Sequence, residues 1–172
     1  MILYLVRHAK SSWAERGISD HARPLNSRGL RDAPRMFERL YAHAPAPQLI
    51  VTSDAARAKA TASVLATTLG YSAEQLQLDK GLYHADPERI ASRARALPDS
   101  AAVAALVGHN PGMTYAANKL AGNLELDNLP TCGIVGIHFD GASWSELTTG
   151  VLCYFDYPKY SDGPLVRIPD SP

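Results

Sequence analysis

The chain opens on a run of five apolar residues, Ile2-Leu3-Tyr4-Leu5-Val6, that stops at Arg7-His8. A short continuous apolar run of this kind reads as a buried strand, and a buried strand commits the chain to a covered sheet. The stop matters as much as the run. Where more hydrophobe is expected, the strand delivers a guanidinium and an imidazole to its end. The first offers a planar fork of donors to an anion, and the second can act as a nucleophile.

The rest of the chain supplies the elements that would cover such a strand. Asn26 is placed to cap a helix running to about residue 42, with Met36, Phe37, Leu40 and Tyr41 at core spacing and Pro34 expected to kink it or remove one hydrogen bond. Residues 49–52 read as a second buried strand. Residues 55–69 read as a helix with Ala58, Ala62, Leu65 and Leu69 on one face and Gly70 as its stop. Asp86-Pro87-Glu88 is a helix start, with aspartate as cap and proline at the first position, and that helix ends near Leu97-Pro98. Residues 101–107 form another apolar strand, and Asn110-Pro111 opens a helix that stops at Gly122. Residues 133–139 and 144–157 alternate as two strands with Gly141 in the turn between them. Strands alternating with helices predict an α/β fold, three layers with a mainly parallel sheet and one antiparallel edge. A single domain over residues 1–157 is expected, with residues 158–172, rich in Pro, Asp, Ser and Gly, as a tail lying on the surface or partly disordered.

Composition sets limits on partners. At 172 residues the chain can bury a full core without staples. Lys+Arg and Asp+Glu balance at 17 each, so no bulk field draws it to nucleic acid or to an anionic membrane, and neither is expected as a partner. No run approaches the roughly 18 apolar residues of a membrane span, and the first strand is too short for a leader. Cys132 and Cys153 lack metal-ligand spacing and read as small buried hydrophobes of a reducing cytosol. The expectation is a soluble, cytoplasmic protein.

Ligands of such sheets bind beyond the carboxyl ends of the strands. Three strand ends here carry groups suited to phosphate: Arg7-His8; Thr52-Ser53-Asp54 followed by Arg57 and Thr61; and Gly108-His109-Asn110-Pro111-Gly112. The last two lead into helix N-termini, which favour anions through free N–H groups and partial positive charge. Parallel strands would bring Arg7, His8, Arg57 and His109 to one edge. Asp54 and Asn110 are sufficiently explained as helix caps. Ser53 and Thr61 could serve only backbone groups, and His21, His43 and His138 read as structural.

This ordered set resembles the histidine phosphatase superfamily, with its phosphoglycerate-mutase-like fold, and within it the short bacterial phosphohistidine phosphatases of the SixA type. The matching segments are Leu5-Val6-Arg7-His8-Ala9-Lys10, Arg23-Pro24-Leu25-Asn26-Ser27-Arg28-Gly29, Ser53-Asp54-Ala55-Ala56-Arg57-Ala58 with Thr61-Ala62, and Val107-Gly108-His109-Asn110-Pro111-Gly112. Two departures stand out. Ala9 follows the histidine where most of the superfamily has glycine, and the segment in which its mutases and phosphomonoesterases usually place a glutamate as proton donor reads Leu82-Tyr83-His84-Ala85-Asp86-Pro87-Glu88. His84 stands about where that acid would be sought.

The resemblance implies a covalent phosphohistidine intermediate on His8, with Arg7, Arg57 and His109 stabilising the transferring group. Lys10, Ser53 and Asn26 follow as further substrate-binding residues and His84 as the candidate proton donor. No cofactor and no metal are expected, because the arginines would take the role of a cation. The implied substrate is a phosphohistidine protein. The alternatives are a small phosphorylated substrate, hydrolysed by a phosphomonoesterase of the same fold, and a non-catalytic phosphate-binding module.

Overall fold

A computed structural model describes residues 1–14, 17–72, 76–160 and 163–167. Its centre is a seven-stranded sheet built from β1 (Ile2–Arg7), β2 (Leu49–Thr52), β3 (Leu76–Leu78), β4 (Val103–Gly108), β5 (Ile134–His138), β6 (Val151–Asp156) and β7 (Leu165–Val166), in the order β3-β2-β4-β1-β5-β6-β7. The first four in that order are parallel, and β5, β6 and β7 continue antiparallel. Among the described residues, four α-helices cover it: α1 (Ser27–His43), α2 (Ala56–Thr68), α3 (Pro87–Arg95) and α4 (Gly112–Leu120). The α/β class holds, and the antiparallel part extends over three strands rather than one edge.

Strand β1 shows why the layers form. Its side chains alternate between two cores: Leu3 and Leu5 join Ile90 and Ala94 of α3 and Met113 and Leu120 of α4, while Ile2, Tyr4 and Val6 join Met36, Phe37 and Leu40 of α1 and Ala62 and Leu65 of α2. All five apolar residues are buried, so neither face could be polar without cost.

Register then sets the site. Arg7 pairs with Gly108 and Thr52 with Val107, so His8, His109 and Ser53 leave the sheet side by side. The His8 N–H donates to Gly108 O at 3.0 Å and the Ser53 N–H to Val107 O at 3.0 Å.

Some local expectations need correction. Tyr41 is exposed rather than in the core, since the apolar face of α1 is completed by Ala33, Met36, Phe37 and Leu40. Helix α1 continues through Pro34, which has no N–H to donate, so the second of the two expected outcomes, one missing helical hydrogen bond, holds there. Asp54 does not cap α2; the cap position is Ala55, without a side-chain bond, and the Asp54 carboxylate pairs with His21 Nε2 at 2.9 Å. Asn110 does not cap α4, whose cap position is Pro111. The stretch expected as a strand from residue 144 begins as a 3-10 turn, Trp144–Glu146, because the Trp144 side chain turns inward to donate to Ala101 O at 2.9 Å. Strand β3 had no sequence signal; Leu76, Gln77 and Leu78 are too few and too mixed to show a period. Strand β7 lies in the segment expected as a tail, where Leu165 pairs with Phe155.

Candidate active site

The end of β1 is held by the turns around it. The Cys132 N–H donates to both Arg7 O at 3.1 Å and His8 O at 3.2 Å. The Ala9 N–H donates to Thr61 Oγ1 at 2.9 Å, and that hydroxyl donates on to Arg57 O at 2.7 Å. Lys10 O accepts the Asn26 N–H at 2.9 Å. Gly29 lies so close to Lys10 O that a Cβ there would meet it, which brings the first turn of α1 against the loop behind His8. A methyl at Ala9 is fully buried and accommodated.

His8 is buried, and its Nδ1 lies 2.7 Å from Ala9 O. A carbonyl can only accept, so Nδ1 carries the proton and Nε2 carries the lone pair. Arg57 Nε donates to that Nε2 at 3.2 Å. Burial, followed by the charges of Arg57, Arg7 and Arg23, lowers the His8 pKa to about 4, against the bond to Ala9 O, which raises it. The imidazole is therefore neutral at neutral pH with Nε2 unprotonated.

His109 lies beside it, ring centroids 5.1 Å apart, with Nε2 2.9 Å from Ser53 Oγ. Burial and the neighbouring His8 and Arg57 lower its pKa to about 3. Its Nδ1 is buried and without a partner among the described residues, as is Arg7 Nε. Arg7 is fixed at its other end, where Nη1 donates to Leu129 O at 2.7 Å and Asn128 Oδ1 at 3.2 Å. Asn110 Nδ2 donates to the same two acceptors, so its place is behind Arg7 and not at the helix end.

Four side chains converge on one carboxylate that the sequence reading did not single out, Asp20. It accepts from Arg57 Nη2 at 2.9 Å, Arg23 Nη1 at 2.6 Å and Tyr83 Oη at 2.9 Å, and His84 Nε2 is 3.4 Å away. Desolvation raises its pKa, but the bonds from Tyr83 and Arg23 and the charge of Arg57 outweigh it and hold Asp20 well below the usual carboxylate range. The i, i+3 spacing of Asp20 and Arg23 was the available signal. Arg23 in turn stacks over Trp13, 3.3 Å from the ring centroid.

A cavity of about 230 Å³ opens here, lined by Arg7, His8, Asp20, Arg23, Arg57 and His84, with Lys10 at its edge. Of the residues expected at the site, Arg7, His8, Arg57, His109, Ser53, Lys10 and His84 come together. Asn26 does not: its side chain accepts the Gly29 N–H at 2.9 Å as the cap of α1, outside this cavity. Among the described residues no three His, Cys, Asp or Glu side chains are grouped to hold a metal ion.

Chemically, the cavity presents the unprotonated Nε2 of a neutral imidazole among several cationic donors, a set suited to an anion. The model of the histidine phosphatase superfamily, branch 1, matches residues 3–93, more than half of the chain. The chain belongs to the histidine phosphatase superfamily. Relatives of similar sequence extend along most of its length: an uncharacterised protein of Mycobacterium tuberculosis is 32% identical over 90% of this chain and all of its own, and a chloroplastic one of Arabidopsis thaliana is 32% identical over 84% of this chain and 69% of its own. Among solved structures of this fold, one assigned as the phosphohistidine phosphatase SixA of Agrobacterium tumefaciens superposes with a TM-score of 0.70 at 29% identity, covering 81% of this chain and 91% of that one. The protein histidine phosphatase SixA in complex with tungstate gives 0.79 at 19% identity, covering 92% and 97%, a likeness of fold. Superfamily members are generally phosphatases and mutases.

Proposed function

We propose that this protein is a phosphohistidine phosphatase that works through a covalent phosphohistidine on Nε2 of His8. The observation that carries the reading is the locked tautomer: Nδ1–H is engaged by Ala9 O, so the ring lone pair of a neutral imidazole lies at Nε2, where it accepts from Arg57 Nε. Attack of Nε2 on phosphorus forms the N–P bond as the bond to the leaving nitrogen breaks, and water then cleaves the new bond to release phosphate. Charge in the loose transition state spreads over three oxygens, so fixed donors do most of the work. Arg7 and Arg57 supply them, the unpartnered Arg7 Nε adds a donor with no competing partner among the described residues, and neutral His109 donates from Nδ1 in the tautomer whose Nε2 accepts from the Ser53 hydroxyl. Ser53 orients His109, and Lys10 stands at the cavity edge.

The leaving group decides the substrate. An alkyl ester must expel a poor alkoxide, and a positioned acid is commonly worth about 10²–10⁴-fold. The carboxylate present, Asp20, is held ionised by its cationic neighbours, and His84 is half-exposed beside it. A leaving imidazole accepts a proton near neutral pH and needs no strong acid. The test compares kcat/KM for a phosphohistidine peptide with that for a sugar phosphate. Preference for the phosphohistidine by about 10² or more is expected from the missing acid; preference for the sugar phosphate would establish a small-molecule phosphomonoesterase instead.

A further inference from the structure

A second, larger groove of about 380 Å³ adjoins the catalytic cavity and shares Arg7, Lys10 and Thr131 with it. Its charge is one-sided. Arg7, Lys10, Arg28, Arg31, Arg35 and Lys159 line it, against the single carboxylate of Asp32. In a chain with 17 cations and 17 acids, this is a local concentration and not a bulk excess.

The arrangement is built by α1. Arg28, Arg31 and Arg35 follow at spacings of three and four, which sets them along one helix face. All three are exposed, and their row covers about 10 Å of helix at 1.5 Å per residue. Asp32 is buried among them and is used internally: Arg31 Nη2 lies 2.9 Å and Arg28 Nε 3.8 Å from its carboxylate. Arg28 Nη2 also donates to Thr131 Oγ1 at 3.4 Å, which ties the row to the turn that backs His8. Arg35 and Lys159 form no ion pair among the described residues.

Arg28, Arg31, Arg35 and Lys159 do not line the cavity of His8, where Arg7, Arg57 and His109 are placed to hold one phosphoryl dianion. A row about 10 Å long matches roughly three residues of extended chain at 3.3 Å each. We infer that the groove docks an acidic polypeptide segment next to the phosphohistidine of the substrate, with its carboxylates along Arg28, Arg31, Arg35 and Lys159. This rests on the phosphohistidine reading and adds which phosphoproteins the site selects. The continuity through Arg7 and Lys10 lets one chain occupy both cavities.

The experiment uses two phosphohistidine peptides of equal length, one flanked by Asp and Glu and one by Ser and Gln. Their kcat/KM values are measured with the intact protein, with the R31E/R35E double variant and with Arg35→Gln. The intact protein should favour the acidic peptide by about tenfold at low salt, and the preference should shrink to about twofold or less at 0.5 M salt, as expected for several exposed pairs. Arg35→Gln should lose part of the preference, and R31E/R35E should abolish or reverse it. Equal turnover of the two peptides by the intact protein, or an undiminished preference in R31E/R35E, would overturn the docking proposal while leaving the phosphohistidine reading intact. Turnover of neither peptide, with small phosphoesters hydrolysed, would overturn both. A small ester bearing a second phosphoryl group and preferred over both peptides would show that the groove serves small polyanions and would overturn the proposal.

Discussion

At the scale of single residues, the site is organised around competition for Arg57. Its Nε holds the lone pair of His8, while Nη1 donates to Asp20 O at 2.5 Å and Nη2 to the Asp20 carboxylate at 2.9 Å. An arriving phosphoryl group must share or displace that carboxylate, so Asp20 sets the affinity for anions as well as the posture of the arginine. Asp20→Asn removes the charge and keeps the size. Inorganic phosphate should then inhibit more strongly, with Ki falling roughly twofold to fivefold, the size expected when one partly exposed ion pair no longer competes. An unchanged or raised Ki would mean that phosphate binds without meeting Asp20.

At the scale of elements, capping and close approach place the catalytic loop. Asn26 Oδ1 satisfies the Gly29 N–H at the start of α1, and the Asn26 N–H bonds Lys10 O two residues beyond His8. Asn26→Ala should lower stability by about 1 kcal/mol, the usual cost of a lost cap, measured as a shift in the urea midpoint at constant m. A loss of activity far beyond that loss of stability would return Asn26 to the substrate. The sequence made the cap of α1 legible because asparagine preceded a helical apolar pattern. It suggested two caps that do not form, at Asp54 and Asn110, because both side chains found better partners at long range: His21 in one case, Asn128 and Leu129 O in the other. The strand-end groups Arg7, His8, Arg57 and His109 were legible from local patterns. Asp20 was not, since its partners Arg57, Tyr83 and His84 are brought to it by packing over separations of 37 residues or more.

For the molecule as a whole, burying two neutral imidazoles at the sheet edge links the site to stability. His8 titrates near 4 and His109 near 3, both below the usual value of about 6.5. The folded protein thus binds fewer protons than the unfolded chain below pH 6.5, and stability falls as pH drops from there through 4. Asp20 acts at lower pH: its depressed pKa contributes stability above about 3.8 that is lost only on further acidification. The pH dependence between 6.5 and 4 should therefore weaken in His8→Asn, whose side chain does not titrate. Urea midpoints across that range check it, and a variant as pH-sensitive as the parent would contradict neutral burial of His8. On the solvent side, the cationic groove beside the same sheet edge gives an overall neutral chain a local field for anions.

The covalent step at His8 Nε2 is tested most directly by rapid quench in alkali during turnover of a phosphohistidine peptide, followed by phosphorus NMR and peptide mapping. An alkali-stable, acid-labile phosphate on His8 bonded at Nε2 is expected, because Nδ1 is committed to Ala9 O. Phosphate at Nδ1, phosphate on another residue, or undiminished turnover by His8→Ala would contradict it.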